Sequence, residues 1–558
     1  MDRPWLASYP ASVPADIDTT QCTSLVEILE NSCAQHASES AYRSFGRRLT
    51  FAELDHLSLG FAAYLQTETG LRPGDRLAIM LPNLLQYPVA LFGALRAGLV
   101  VVNVNPLYTP RELKHQLADS GARGIVILEN FAHTLEAALD GTPVEFAIVT
   151  QLGDLLGGLK GRLTNFAVKY VKRMVPRWSL PNTVGFTEVL SRGAGISLNK
   201  PALGPNDLAF LQYTGGTTGL AKGAELTHGN MVANVLQACA WLSAIRTPGP
   251  NLVVTALPLY HIFSLTANCL TFMRFGGENL LIVNPRDLDR FVAEIRSVGF
   301  TAITGVNTLF NKLLHHPGFA KVDFSRLRLT MGGGMAVQHS VAERWKAVTG
   351  STLIQAYGLT ETSPAACINP LDAQEFDGSI GIPISSTLVS IRDDDFQALP
   401  AGQIGEICVK GPQVMHGYWG RPEETAKVLS DDGWLRTGDI GLMNEDGFVT
   451  VVDRKKDMII VSGFNVYPNE VEDVIATHPG VLEVAAVGIP DANTGESVKA
   501  VVVRKDPEIS SEEILRHCRE YLTAYKIPRQ VEFRDELPKS NVGKILRREL
   551  REPSPSAR

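Results

Sequence analysis

Cysteine is scarce and unpatterned in this chain. Seven residues (Cys22, Cys33, Cys239, Cys269, Cys367, Cys408, Cys518) include no Cys-x-x-Cys pair. An odd, scattered set excludes a disulfide framework and a thiolate zinc site, and predicts reduced thiols in a cytosolic setting. Positive charge is also short: 52 Lys and Arg against 59 Asp and Glu leave a net charge of -7. That balance opposes nucleic-acid binding, so any anionic ligand must be met by local cations. No clean apolar run of bilayer length is present. Two charge-free stretches, 77–95 and 247–273, are broken by Pro82, Asn83, Gln86 and Pro88, and by Pro248, Pro250, Pro258 and His261. Such interruptions fit buried strands and loops. The opening MDRPWLASYPASVPADID has prolines and acids where an export signal needs an apolar core, and the closing REPSPSAR matches no prenylation or peroxisomal signal.

What is present describes a soluble globular chain, 45% apolar and 20% charged over 558 residues, too long for one core. From about Leu25 to Gly204, helical periodicity alternates with short apolar runs at 75–81, 97–103 and 124–128, which predicts a parallel α/β sheet. Thr50 and Glu53 form a capping box ahead of a helix from Phe51. Past Gly378, short strands and tight turns predict a β-rich subdomain. A charged run, Asp453-Arg-Lys-Lys-Asp457, separates it from a last α/β unit of about a hundred residues, so the domain boundary is placed at 452/453.

One segment stands apart. Between Leu155 and Arg177 lie Lys160, Arg162, Lys169, Lys172, Arg173 and Arg177 and no acid, while Leu159, Leu163, Phe166, Tyr170 and Met174 recur at three- and four-residue steps. A basic amphipathic helix over 159–177 could lie on an anionic membrane. A solvated helix packed on its own domain is the expectation the sequence favours, and Gly157, Gly158 and Gly161 weaken any long helix.

Four stretches carry chemistry. Tyr213-Thr-Gly-Gly-Thr-Thr-Gly-Leu-Ala-Lys222-Gly follows the apolar run from Leu208. Its glycines turn backbone N–H groups toward an anion, its threonines add hydroxyl donors and its lysine adds a point charge, a set that suits polyphosphate. A Gly-Lys-Ser/Thr ending is absent, so this is not the usual nucleotide loop. His261 stands at the mouth of the loop after the strand from Leu252. A strand from Leu327 closes in Gly332-Gly-Gly, which permits close approach to a flat ligand. Tyr357 and Glu361 then sit four residues apart after a strand-like lead.

Taken with WLRTGDI (434–440), VVDRKKDMIIVSGFNVYPNEVE (451–472) and ELPKSNVGKILRREL (536–550), these stretches make the sequence resemble the acyl-CoA synthetases of the adenylate-forming superfamily, near the bacterial long-chain fatty acid–CoA ligases. The matching stretches run in order from mid-chain nearly to the end. The resemblance implies an α/β fold: a large N-terminal adenylation domain, 1–452, of parallel-sheet subdomains plus a β-rich one, and a small mobile C-terminal domain, 453–558, hinged at Asp453–Arg454. It implies ATP, Mg²⁺ and coenzyme A. A fatty acid would be joined to the α-phosphate with loss of pyrophosphate, then passed to the thiol.

By the same resemblance, Thr214, Gly215, Gly216, Thr217, Thr218, Gly219 and Lys222 would hold the β- and γ-phosphates, with Thr214 and Glu361 on Mg²⁺. Gly333 and Gly334 would lie on one face of the adenine and Tyr357, with Gly358 and Thr360 beside it, on the other. Asp439 and Arg454 would take the ribose. Lys544, after Gly543, would bridge the carboxylate and the α-phosphate and so affect rate more than ATP affinity. His261 would position substrate without transferring a proton. After rotation of the small domain, Ser462, Gly463 and Phe464 would deliver the pantetheine.

Bland readings stand beside these: Lys544 as one of several lysines and arginines in a basic tail, His261 as a capped core residue, Tyr357 as packing, Glu361 as an N-cap. Chain length is written in no motif. An apolar tunnel is expected from Leu257–Phe272 and Val306–Leu309. The alternatives are a ligase for aryl or short acids, an inactive nucleotide-binding regulator and a membrane-surface scaffold; nothing marks an oxygen-handling step of luciferase type. The expected partners are the small substrates and no nucleic acid, with the basic segment 159–177 a candidate membrane contact and a second copy of the chain a candidate partner. The expected location is cytoplasmic, with association to the cytoplasmic face of a membrane as the variant.

Overall fold

The structure, a computed structural model, describes residues 3–214, 221–243, 251–491, 494–540 and 543–551. Strands buried on both faces build two large sheets. One runs, edge to edge, through Gly417–Tyr418, Lys222–Thr227, Leu208–Thr214, Val100–Asn103, Arg76–Met80, Gly124–Leu128, Phe146–Thr150 and Thr183–Gly185. Its six strands from Leu208–Thr214 onward are parallel, as the alternating apolar runs predict. The second sheet has Ala302–Gly305, Leu329–Gly333 and Leu353–Gly358 at parallel register near one end. The β-rich subdomain is a four-stranded antiparallel sheet of Leu388–Arg392, Gly405–Lys410, Leu435–Met443 and Val449–Arg454. The last unit packs Pro468–Ala476 and Ser511–Tyr521 on a sheet centred on Val481–Asp491 and Gly495–Arg504.

Local expectations hold in detail at the helix Phe51–Glu68, where Thr50 and Glu53 cap each other reciprocally. Two element boundaries move. The run from Ala97 becomes strand only at Val100, because Gly98, at φ 76°, turns the chain out of the helix Gln86–Arg96. From Leu226, where the sequence also predicts a helix, the chain is still in the strand Lys222–Thr227 and becomes helix only at His228, capped by Thr227. The strand Val449–Arg454 carries on into the charged run, so Asp453 and Arg454 pair with the β-rich sheet. No described helix is long and apolar enough to cross a membrane.

Close backbone approach positions the glycine-ended strand. A Cβ on Gly333 would stand 2.8 Å from the Ala356 carbonyl and 3.0 Å from the Phe263 ring. Gly333→Val should therefore push the two strands apart at a cost of about 1–3 kcal/mol, read as a lower midpoint in denaturant; an unchanged midpoint would contradict this packing.

Candidate active site

The strand Leu208–Thr214 leaves the first sheet and returns as Lys222–Thr227, with Thr214 opposite Lys222. The ends of the Gly/Thr segment are thus held side by side at the rim of a cavity of about 1970 Å³ that both border. Gly215, Gly216, Thr217, Thr218 and Gly219 lie outside the described residues. The Lys222 ammonium pairs with the Glu424 carboxylate and lies 5.1 Å from the centre of the Tyr418 ring. Hydrogen bonds from Lys222 and then Lys427 hold the Glu424 carboxyl down at about 2.

Glu361 sits on a single turn, Thr360–Thr362, directly after the strand Leu353–Gly358. The Tyr418 hydroxyl donates to Glu361 Oε1 at 2.7 Å. One tyrosine therefore lies under Lys222 and hydrogen-bonds the nearby carboxylate. Sequence spacing marks neither Tyr418 nor Glu424. The signal that could have found them is the aromatic Gly417-Tyr-Trp-Gly420 run before Pro422 and two acids. Glu361 and the Thr214 hydroxyl are hard oxygen donors, and no cluster of three His, Cys, Asp or Glu among the described residues could hold a metal. That donor set fits Mg²⁺ that keeps phosphate and water oxygens, and does not fit a protein-caged ion.

Gly358 and Thr360 border the cavity beside Tyr357. The Tyr357 hydroxyl donates to Asp439 Oδ2 at 2.7 Å, while Arg454 Nε lies 3.4 Å from Oδ1. Asp439 and Arg454 face each other across the sheet, so the register itself sets the pair. Burial, then the Asp439 charge, pushes the Tyr357 phenol well above its usual value, which keeps it a donor. Gly334, at φ 75°, opens onto the cavity; Gly333 is buried behind it and does not.

His261 borders the cavity, and its Nδ1 accepts the Phe263 backbone N–H at 3.4 Å. That bond leaves the proton of the neutral ring on Nε2. Burial, then the Lys544 charge, lowers its pKa to about 4, so the ring is neutral near pH 7.

Lys544 reaches the same cavity from the small lobe. Its loop is tightly closed: Ser540 N donates to the Lys544 carbonyl at 2.7 Å, and Lys544 N donates to Ser540 Oγ at 3.1 Å. Gly543, at φ 83°, accepts from Thr308 Oγ of the large lobe at 3.2 Å. A Cβ there would come within 2.9 Å of that same oxygen, so the close docking of the loop requires glycine. Burial, then the neighbouring Arg454 charge, lowers the Lys544 ammonium to about 7. Asp453 is buried and accepts from Asn469 N at 2.9 Å and Arg547 Nη1 at 3.3 Å, while Arg547 also grips Glu472 at 2.9 Å.

Ser462, Gly463 and Phe464 do not border this cavity. Ser462 and Gly463, both at positive φ, turn the hairpin between Ile459–Val461 and Phe464–Val466. Phe464 is exposed and stacks on Tyr525 at 5.0 Å. Among the described residues, all those expected for adenylation except Gly333 border this one cavity, and those expected for the thiol lie apart from it. The apolar part of the cavity takes Leu257, Phe263, Ala267 and Phe272 from the first expected segment. From the second it takes Val306 and Thr308 but not Leu309, and it adds Trp241, Leu242 and Met331.

The AMP-binding enzyme family matches residues 29–419, and the AMP-binding enzyme C-terminal domain matches 470–544. A long-chain-fatty-acid–CoA ligase of Escherichia coli O6:H1 is 58% identical over 552 residues, 99% of this chain and 98% of that one. A solved anthranilate CoA ligase in complex with anthranoyl-AMP superposes with TM-score 0.84 at 25% identity, covering 96% of this chain and 98% of its own. ATP-bound MatB from Rhodopseudomonas palustris gives 0.82 at 29%, covering 94% and 98%. In sequence along nearly its whole length, and in the shape of both lobes, this chain belongs to the AMP-binding enzyme family.

Proposed function

We propose that the chain is an ATP-dependent long-chain fatty acid–CoA ligase. The observation that carries the reading is that a lysine of the small lobe enters a cavity which the large lobe lines with Lys222, Glu361, Asp439 and an apolar pocket. The identity to the E. coli ligase supports the choice of a long chain.

In the first step a carboxylate oxygen attacks the α-phosphorus, and the bond to the bridging oxygen breaks as pyrophosphate leaves. Bringing a carboxylate against a polyanion makes charge neutralisation the main task. Lys222 and the Gly/Thr segment would take the β- and γ-phosphates, with Lys222 exchanging Glu424 for phosphate. Asp439, held by Tyr357, would accept the ribose hydroxyls, and Gly334 would lie against the base. Mg²⁺ held through Glu361 and Thr214 would neutralise phosphate charge. Lys544 would bridge the incoming carboxylate and the α-phosphate, and neutral His261 would offer its Nε2 proton to position the substrate. In the second step the thiol sulfur attacks the acyl carbon, its bond to the AMP oxygen breaks, and the thiol proton passes to solvent. Rotation of the 453–558 domain about Asp453–Arg454 would withdraw Lys544 and present Ser462-Gly463-Phe464, where Gly463 leaves room for the pantetheine.

Pyrophosphate release measured with acids of graded length tests the reading. Release should be fastest with long-chain acids, and acyl-CoA and AMP should form only with coenzyme A. Release with benzoate-like acids alone would favour an aryl ligase, and release with none a nucleotide-binding regulator. Tyr418→Phe should lower kcat/KM for Mg²⁺–ATP by about tenfold, the loss of one hydrogen bond to a charged group; unchanged kinetics would remove Tyr418 from the site. Lys544 must be charged to act, and its pKa of about 7 sets the sign. The kcat/KM for adenylation should fall as pH rises through that value, because kcat/KM reports the free enzyme. Lys544→Arg should abolish the falling limb; a limb retained in this variant would assign it to another group.

A further inference from the structure

The helix Gly158–Phe166 and the wider turn Ala167–Val171 that continues it are built inside out. The side facing the body of the protein is small or polar. Gly161 and Gly153 approach so closely that a Cβ on Gly161 would lie 2.5 Å from the Gly153 carbonyl. The Asn165 side chain accepts from Gly153 N at 2.6 Å and donates to Gln151 at 3.0 Å and Asp154 at 3.1 Å. Lys169 reaches the buried Glu129 at 3.3 Å, and Asn130 donates to the Met174 carbonyl at 2.9 Å.

The apolar stripe points the other way. Leu159 is 72% exposed, Leu163 59%, Phe166 56%, Tyr170 62% and Met174 56%. Phe166 and Tyr170 lie ring to ring at 5.2 Å. A helix that merely covers its own domain buries such a stripe; one that shows it marks a partner surface. Arg162, Lys172, Arg173 and Arg177 are exposed around it, and no acid occurs between 155 and 177 in a chain of net charge -7. A single apolar stripe rimmed by one sign of charge matches the interface of an anionic bilayer.

We propose that the outward face of residues 159–174 is a docking surface for anionic lipid. The apolar side chains enter the acyl boundary while the flanking cations meet the headgroups. The strand and turn behind stay fixed through Gly161 and Asn165. This surface goes beyond the ligase reading and does not depend on it.

Flotation of the full chain with vesicles of phosphatidylcholine, alone or with phosphatidylglycerol, tests the proposal. The protein should partition into the mixed vesicles, only weakly into the neutral ones, and less at high salt. Leu163→Ser with Phe166→Ser, and separately Lys172→Glu with Arg173→Glu, should each lower partitioning by about tenfold with an unchanged thermal midpoint. The charge variant alters only solvated side chains and carries the test if the apolar one unfolds. Equal partitioning of the wild type into both vesicle types, or unchanged partitioning of the charge variant, would overturn the proposal. Loss of self-association in the apolar variant, with no vesicle binding by the wild type, would reassign the stripe to a contact between copies.

Discussion

A lysine charge buried among other cations is costly unless an anion arrives, and the site is arranged around that cost. Lys544 shares its cavity with Arg454, Lys456 and Arg547, and Asp439 alone among its named neighbours favours the charged form. Burial and like charge together pull the ammonium down to about 7. A polyphosphate would reverse that balance. Lys222 likewise rests on a counter-charge, the Glu424 carboxylate, and on the Tyr418 ring. The cavity is thus a set of cations held by provisional counter-charges, which is what binding and then releasing a polyanion requires.

Geometry around Lys544 is kept by two kinds of contact. Within the small lobe, the Ser540–Lys544 turn closes on its own backbone, and Arg547 ties Glu472 and Asn469 to Asp453 at the boundary between lobes. Between lobes, the contacts among the described residues include Gly543 on Thr308, the Asn311 amide donating to the Leu482 carbonyl at 3.1 Å, and ion pairs of Lys455 with Asp394 at 2.6 Å and of Arg454 with Asp439 at 3.4 Å.

Sequence made part of this legible because local chemistry is written locally. The Thr50–Glu53 cap, the parallel strands and the glycine-ended strand before Tyr357 follow from spacing and turn residues. So does the close placement of Tyr357 and Glu361, which one strand and one turn enforce. Tyr418 and Glu424 were illegible because they reach Glu361 and Lys222 across 57 and 202 residues of chain, through a sheet edge with no periodic signature. The basic helix shows a different limit. Periodicity reveals two faces, but which face turns inward depends on Gly153 and Asn165 finding partners, a tertiary fact. Here the polar side won.

The central claim is that one ammonium group serves one half-reaction and is withdrawn for the other. Single-turnover assays of each half-reaction in Lys544→Ala and Gly463→Leu test it most directly. The account predicts that Lys544→Ala loses adenylate formation by roughly 100- to 1000-fold yet converts a supplied acyl-adenylate to acyl-CoA at the wild-type rate, while Gly463→Leu does the reverse. Equal loss of both half-reactions in either variant would contradict it.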